Sequence, residues 1–280
     1  MTVFSEDLTV TSHIQCAPSY YRIAFEAPHV AAETVPGQFF MLGVSAGTDP
    51  LLRRPMSIYR FVRDKAGTPT GFQLLYKVVG RGTELLSTVR AGDTVPVLGP
   101  LGHGFTIAEG ATQHVIVTGG TGVAPMVALA EAMVRTGIKP AVFYGAKTRS
   151  ELACQPDFEE LGTELTVCTD DGSCGVKGLV TFALEKTLST RSGKKKDSPS
   201  VAIYACGPHA MLTAVARLAE RAGVPCQVSL EARMGCGLGA CMACAVRAAE
   251  TGADKDAHYI RVCLQGPVID SRRILWEDEP

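Results

Sequence analysis

The stretch HVIVTGGTGVAPMVALAEAMVRTG, His114 to Gly137, decides the fold. It opens with an unbroken apolar run, as expected of a strand buried on both faces. Glycines at 119, 120 and 122 interrupt it, and a helical segment then runs until Gly137 ends it. The rhythm repeats downstream. PAVFYGA (140–146), ELTVCTD (164–170) and SVAIYACG (200–207) read as strands, while KGLVTFALEKTL (177–188) and HAMLTAVARLAERAG (209–223) read as helices. Such alternation predicts a parallel sheet covered by helices.

Upstream the pattern differs. YYRIAFEA (20–27), QFFMLGV (38–44), MSIYRFV (56–62), FQLLYKVV (72–79) and DTVPVLG (93–99) are short strand-like runs separated by turns, with no helix between them. They predict an antiparallel sheet closed into a small barrel. After CQVSLE the rhythm dissolves into a cysteine-rich tail. The expected parts are a β-barrel at 1–108, an α/β domain at 109–225 and a small cysteine domain at 226–280. TRSGKKKDSPS (190–200) is a polar loop whose lysines, Lys194 to Lys196, form either a docking patch or a solvated surface.

Bulk composition excludes several functions. Among 280 residues, 46% are hydrophobic and the formal net charge is −1, so no basic field awaits a nucleic acid. The opening MTVFSEDLTVTSH lacks the basic and apolar regions of a signal peptide, and no apolar run is long enough to span a bilayer. Ten cysteines in such a chain suggest metal ligands rather than disulfides, and a cytoplasmic setting.

Three stretches carry candidate chemistry. The turn Gly119, Gly120, Thr121, Gly122 precedes a helix, where backbone N–H groups favour a phosphate. It is not the full dinucleotide fingerprint, because Pro125 occupies the third glycine position and the next strand ends in GAKTR, without an acid. Lys147 and Arg149 therefore leave both NAD and NADP open, and Asp170 and Asp171 either line a cofactor or cap a loop. Cys206, Gly207 and Pro208 end another strand, where ligands of open α/β sheets bind. In the barrel, Arg54 suits a diphosphate, Ser57 follows it, and Thr83 is the expected N-cap of a helix after the Gly80–Gly82 turn.

RPMS (54–57), the GxGT turn (80–83), GGTGVAPM (119–126) and CGP (206–208) occur in this order in the ferredoxin–NADP reductase superfamily, which the chain resembles. LYKVVGRGT, TDDGSCGVKGLV, SLEARMGCGLGACMACAV and VCLQGPV narrow the resemblance to electron-transfer subunits of B-type, NAD-linked dihydroorotate dehydrogenases. The resemblance implies an FAD-binding barrel, a nicotinamide-binding α/β domain and a C-terminal 2Fe–2S domain. It implies FAD contacts at Arg54, Pro55, Met56, Ser57, Leu75, Tyr76, Lys77, Gly82 and Thr83. It implies cluster ligation by Cys236, Cys241, Cys244 and Cys263. The spacer between the last two ligands holds 18 residues and contains ETGADKDAH (250–258).

The spacing bears on the metal independently. Structural zinc sites present paired Cys-x-x-Cys knuckles, whereas C-x4-C-x2-C plus a distant cysteine is the plant-type 2Fe–2S pattern. NAD exchanges hydride and such a cluster takes single electrons, so a flavin is needed between them. No residue stands out as a catalytic acid, base or nucleophile. The resemblance supplies the rest: an FMN-containing catalytic partner subunit in a heterotetramer, docked near Cys263. The alternative is a diaphorase subunit of a sulfite reductase, hydrogenase or bifurcating transhydrogenase.

Overall fold

The computed structural model describes residues 2–45, 47–189, 200–249 and 258–276. Lys194–Lys196 and most of the ETGADKDAH spacer lie outside the described residues.

The N-terminal part is a closed antiparallel barrel. Its strands are β1 (Phe4–Ala17), β2 (Tyr20–Glu26), β3 (Phe39–Leu42), β4 (Arg54–Arg63), β5 (Pro69–Lys77) and β6 (Thr94–Leu101), in the order β1-β2-β5-β4-β3-β6. β1 was not among the strand runs picked out above, because its polar residues mask the alternation. It pairs with both β2 and β6, with register shifts at Val10/Ser12 and Gln15/Ala17. Such shifts let one long strand bend and close a small barrel. Two helices interrupt this part: α2 (Arg81–Ser87), expected after the Gly80–Gly82 turn, and α1 (Pro28–Glu33), which was not. Phe40 and Phe72, both fully buried, stack in the barrel core with ring centroids 4.3 Å apart.

The central sheet begins with β7 (Gln113–Gly119), α3 (Val123–Arg135) and β8 (Ala141–Ala146). It continues through α4 (Gln155–Glu160), a helix missed by the sequence reading, to β9 (Glu164–Thr169), β10 (Val176–Lys177), α5 (Val180–Ser189), β11 (Val201–Cys206), α6 (His209–Ala222) and β12 (Cys226–Ser229). The tail adds β13 (Ala245–Arg247) and β14 (Tyr259–Arg261) as a two-stranded ribbon, then α7 (Val262–Gln265) and β15 (Val268–Asp270). The sheet order is β10-β9-β8-β7-β11-β12-β15, with only β15 antiparallel. Order reverses between β7 and β11, which is where an open α/β sheet binds ligands. The sheet takes strands from both sides of residue 225, so the cysteine segment leaves it after β12 and returns as β15.

Removing the Phe40 ring should leave a cavity that the closed barrel cannot collapse to fill. Phe40→Ala is expected to cost about 3–5 kcal/mol of stability, read by denaturant unfolding.

Candidate functional site

A cleft of about 380 Å³ opens where the three parts meet. From the barrel it is lined by Phe39, Arg54, Pro55, Met56, Ser57, Leu75, Tyr76, Lys77, Val79 and Thr83. Thr121 and Ala124 face it from the start of α3, and Leu230, Glu231, Ala232, Met234 and Pro267 close it from the tail. All of the barrel residues expected from RPMS and LYK are there.

Gly82 is the exception, and its role is steric. A Cβ at Gly82 would collide with the Arg54 guanidinium, so only glycine lets that side chain lie across the first turn of α2. Arg54 also donates to the Leu52 carbonyl. Thr83 is not the N-cap. Gly80 is, and the Thr83 hydroxyl accepts from the backbone N–H groups of Val79 (2.9 Å) and Gly80 (3.2 Å). The same hydroxyl donates to the Gly80 carbonyl at 2.8 Å, so one side chain closes the turn that leads into α2.

The LYK side chains are tied down. Tyr76 is buried, its hydroxyl 2.8 Å from His13 Nε2 and its ring stacked 5.7 Å from Tyr21. Burial raises the Tyr76 phenol well above its ordinary value. Lys77 donates to Glu151 of the α/β part at 2.9 Å, and that bond raises the ammonium and lowers the carboxyl.

The two glycine turns of the sheet meet. β7 and β11 are adjacent, with Thr118 opposite Cys206. A Cβ at Gly122 would strike the backbone of Cys206 and Gly207 at about 2.5 Å, and one at Gly207 would approach the Gly119 carbonyl oxygen at 3.1 Å. Gly119, Gly120, Thr121, Gly122 and Cys206, Gly207, Pro208 thus lie together at the switch point. The Cys206 thiol is not among the groups that line the cleft. It is buried behind it, and burial pushes the thiol far up. The acidic group that faces the cleft is Glu231, which no sequence motif marks. Its Oε1 accepts from the Thr121 hydroxyl at 3.0 Å. The residue keeps solvent contact, but its carboxyl sits within the recess, where desolvation raises its pKa. The only sequence signal was its place in SLEARMGC, beside the cysteines.

Those cysteines follow directly. Gly237 (φ +73°), Gly239 (φ +82°) and Met242 (φ +61°) adopt left-handed backbone, which curls the loop tightly. A side chain on Gly237 would run into Met41 and Leu101 of the barrel, so the loop sits directly on β3 and β6. Backbone N–H groups aim at sulfur. Leu238 and Ala240 donate to Cys236 Sγ, both at 3.3 Å, Gly239 to Cys263 Sγ at 3.1 Å, Cys236 to Cys241 Sγ and Cys263 to Cys244 Sγ, both at 3.4 Å. The Leu238 and Cys241 amides bring the Cys236 thiol down to about 6, a loop built for anionic sulfur. Cys263, buried beside Cys244, is pushed up to about 12.

Among the described residues no three ligating side chains close on a single ion. The sulfurs fall into pairs instead, Cys236 with Cys241 and Cys244 with Cys263, linked by the contacts above. One pair per iron is what a two-iron cluster with four thiolates needs, so the donor set fits that group.

Comparison with known proteins agrees with this geometry. Residues 231–275 match the iron–sulfur cluster binding domain of dihydroorotate dehydrogenase B, and residues 116–217 match an oxidoreductase NAD-binding domain. The chain is 37% identical over 271 residues to a dihydroorotate dehydrogenase B (NAD(+)) electron transfer subunit of Desulforamulus reducens, covering 97% of this chain and 98% of that protein. It is 38% identical over 275 residues to the subunit of the same name from Bacillus caldolyticus, covering 96% and 98%. Among solved structures, an NADH-dependent reduced ferredoxin–NADP oxidoreductase studied for flavin-based electron bifurcation superposes with a TM-score of 0.77 at 29% identity, covering 96% of this chain and 90% of that one. The cytochrome b5 reductase domain of Ulva prolifera nitrate reductase shares the fold, with a TM-score of 0.62 at 18% identity over 79% and 93% of the two chains.

Gly82→Val is expected to displace Arg54 and weaken flavin retention roughly ten- to a hundredfold, the worth of a charge-assisted bond of about 1.5–3 kcal/mol. Flavin release on gel filtration and by fluorescence checks it, with Arg54→Ala as the matching loss.

Proposed function

The chain belongs to the family of dihydroorotate dehydrogenase B electron transfer subunits, and from that premise we propose which of its residues carry the electrons and where its partner docks. The protein is an NAD-linked oxidoreductase subunit. It passes electrons from a catalytic dihydroorotate dehydrogenase partner, by way of a 2Fe–2S cluster and FAD, to NAD. FAD exchanges electrons both in pairs and singly, so when bound it joins the hydride chemistry of NAD to a one-electron cluster.

One observation carries the residue assignment. The backbone segments that hold the cysteines are the ones that wall the cleft. Leu230, Glu231, Ala232 and Met234 line it just before Cys236, and Pro267 lines it just after Cys263. The two segments are tied together by the Leu230 N–H donating to the Pro267 carbonyl at 2.9 Å. We assign Cys236, Cys241, Cys244 and Cys263 to the cluster. Arg54 to Ser57, Leu75 to Lys77, Gly82 and Thr83 hold the flavin, with Arg54 supplying positive charge for its diphosphate. Gly119 to Gly122 and Cys206 to Pro208 seat the nicotinamide cofactor, and Thr121 and Glu231 line the cleft opposite the flavin residues of the barrel. The residues bind, orient and exclude water; none needs to act as a nucleophile.

The docking face belongs near Cys241 rather than Cys263. Cys263 is buried, whereas Cys241 is exposed; Leu238 and Met242 of the same loop are more than 40% exposed, as is Leu264, which lies against Gly239 of that loop. Exposed apolar side chains clustered beside a redox outlet favour a protein partner. We propose an FMN-containing catalytic subunit there, within a heterotetramer. We propose a cytoplasmic setting, which suits ten cysteines of which four are assigned to the cluster and none is paired in a disulfide. No described helix is long and apolar enough to cross a membrane.

The purified single chain is expected to reduce artificial dyes with NADH and not to oxidise dihydroorotate. Turnover of dihydroorotate without a partner would defeat the division of labour. Cys244→Ser is expected to abolish the visible and paramagnetic signature of the cluster and all partner-linked turnover, while NADH still bleaches the flavin.

A further inference from the structure

The barrel and the α/β part share an apolar contact in which Tyr20, Tyr59, Leu75 and Phe105 pack in one cluster with Val127, Leu152 and Phe158. Apolar contact adheres without specifying angle. Beside it runs a seam of charge with an unusual division. Among the described residues, each ion pair across it has its cation on the barrel and its acid on the α/β part. Arg60 reaches Asp157 at 3.2 Å, Glu160 at 3.2 Å and Glu131 at 3.8 Å. Arg63 reaches Glu131 at 3.4 Å, Arg22 reaches Asp157 at 3.7 Å and Lys77 reaches Glu151 at 2.9 Å.

Burial separates this seam from ordinary surface pairs. The side chains of Asp157 and Glu131 are only 8% and 11% exposed. Pairs within one part, such as Arg81–Asp49 at 65% and 70% or Arg221–Glu185 at 61% and 48%, are open to water. A buried ion pair adds little net stability, but breaking it strands a desolvated charge. Rotating the α/β part against the barrel would strand Asp157 and Glu131 together. The seam is therefore stiff against rotation.

Resting on the reading that electrons cross between NAD and a flavin, we propose that Arg60, Arg63, Glu131, Asp157 and Glu160 are positioning residues for that transfer alone. Glu131 lies on α3, the helix whose start carries Thr121 and Ala124 into the cleft opposite Arg54–Ser57. A tilt of α3 thus shifts the nicotinamide side relative to the flavin side. The cluster loop is mounted differently, through the close contact of Gly237 with Met41 and Leu101, and among the described residues none of the seam's ion pairs includes a residue of that loop. Loosening the seam should disturb hydride exchange and spare the one-electron step to the cluster.

Rapid mixing of the flavin- and cluster-loaded chain with NADH resolves the two steps, as flavin bleaching and as appearance of the reduced-cluster signal. The Arg60→Gln/Arg63→Gln variant is expected to slow flavin bleaching at saturating NADH about tenfold, the scale of a sub-ångström misplacement. Flavin-to-cluster transfer should match wild type once the flavin is reduced by dithionite or light. Arg60→Lys should restore most of the rate. Glu160→Arg, at a carboxylate that is 68% exposed, sets two cations face to face without emptying the interior, and should show the same selective loss if the double variant does not fold. Unchanged bleaching in the variants that fold, or equal slowing of both steps, would overturn the proposal. Failure of NADH to bleach the wild-type flavin would instead defeat the functional reading on which it rests.

Discussion

The close packing of α3 against β4 governs the geometry of everything else. Successive turns of that helix do different work on one face. Ala124 enters the cleft, Ala128 sinks into the barrel's own core cluster, and Glu131 meets Arg60 and Arg63. The spacing is that of one helix stripe. Alanine at the first two positions matters because small side chains let a helix backbone come close to a sheet. β4 begins with Arg54–Ser57, so one helix–strand contact sets how far the glycine turn at 119–122 stands from the barrel's binding motif.

The cleft has no single owner. Its walls come from the barrel, from the first turn of α3 and from the tail, and each wall is fixed by something the others lack. The barrel wall is held by closed hydrogen bonding, the α3 wall by apolar contact edged with charge, and the tail wall by β12 and β15 anchoring both ends of the cysteine segment in the sheet. That last device explains how a loop rich in glycine holds a defined shape. Gly235 to Cys244 is suspended between two strand-anchored segments and pressed on Met41 and Leu101, so it needs little regular structure of its own.

Much of this was legible in the sequence, and the omissions have physical causes. Apolar periodicity marked β7, α3, β11 and α6 because buried elements repeat their hydrophobic residues. It missed β1, where exposed polar residues outnumber buried ones, and α4, a helix of six residues whose two buried positions leave no period to detect. The cysteine spacing showed the thiols but could not show that they pair as 236 with 241 and 244 with 263. Glu231 escaped because a single acid after a strand carries no pattern; it becomes meaningful only when Thr121, 110 residues earlier, is found at its side. Gly82 was selected by motif, yet its reason, room for the Arg54 guanidinium, exists only in three dimensions.

The contrast between the two mountings fits the chemistry each serves. Hydride exchange depends steeply on distance and angle, because a proton and two electrons move together between atoms in near contact. Single-electron transfer tolerates a few ångströms and has no angular requirement of that kind. A directional charged seam therefore belongs between the nicotinamide part and the barrel, whereas a glycine loop resting on Met41 and Leu101 suffices for the cluster. Charge at the second junction would also carry a penalty. An iron–sulfur centre ligated by four thiolates is itself anionic, and buried carboxylates beside it would oppose its reduction. Among the described residues the buried carboxylates of the seam, Glu131 and Asp157, sit on α3 and α4, and the cluster loop packs against methionine and leucine instead.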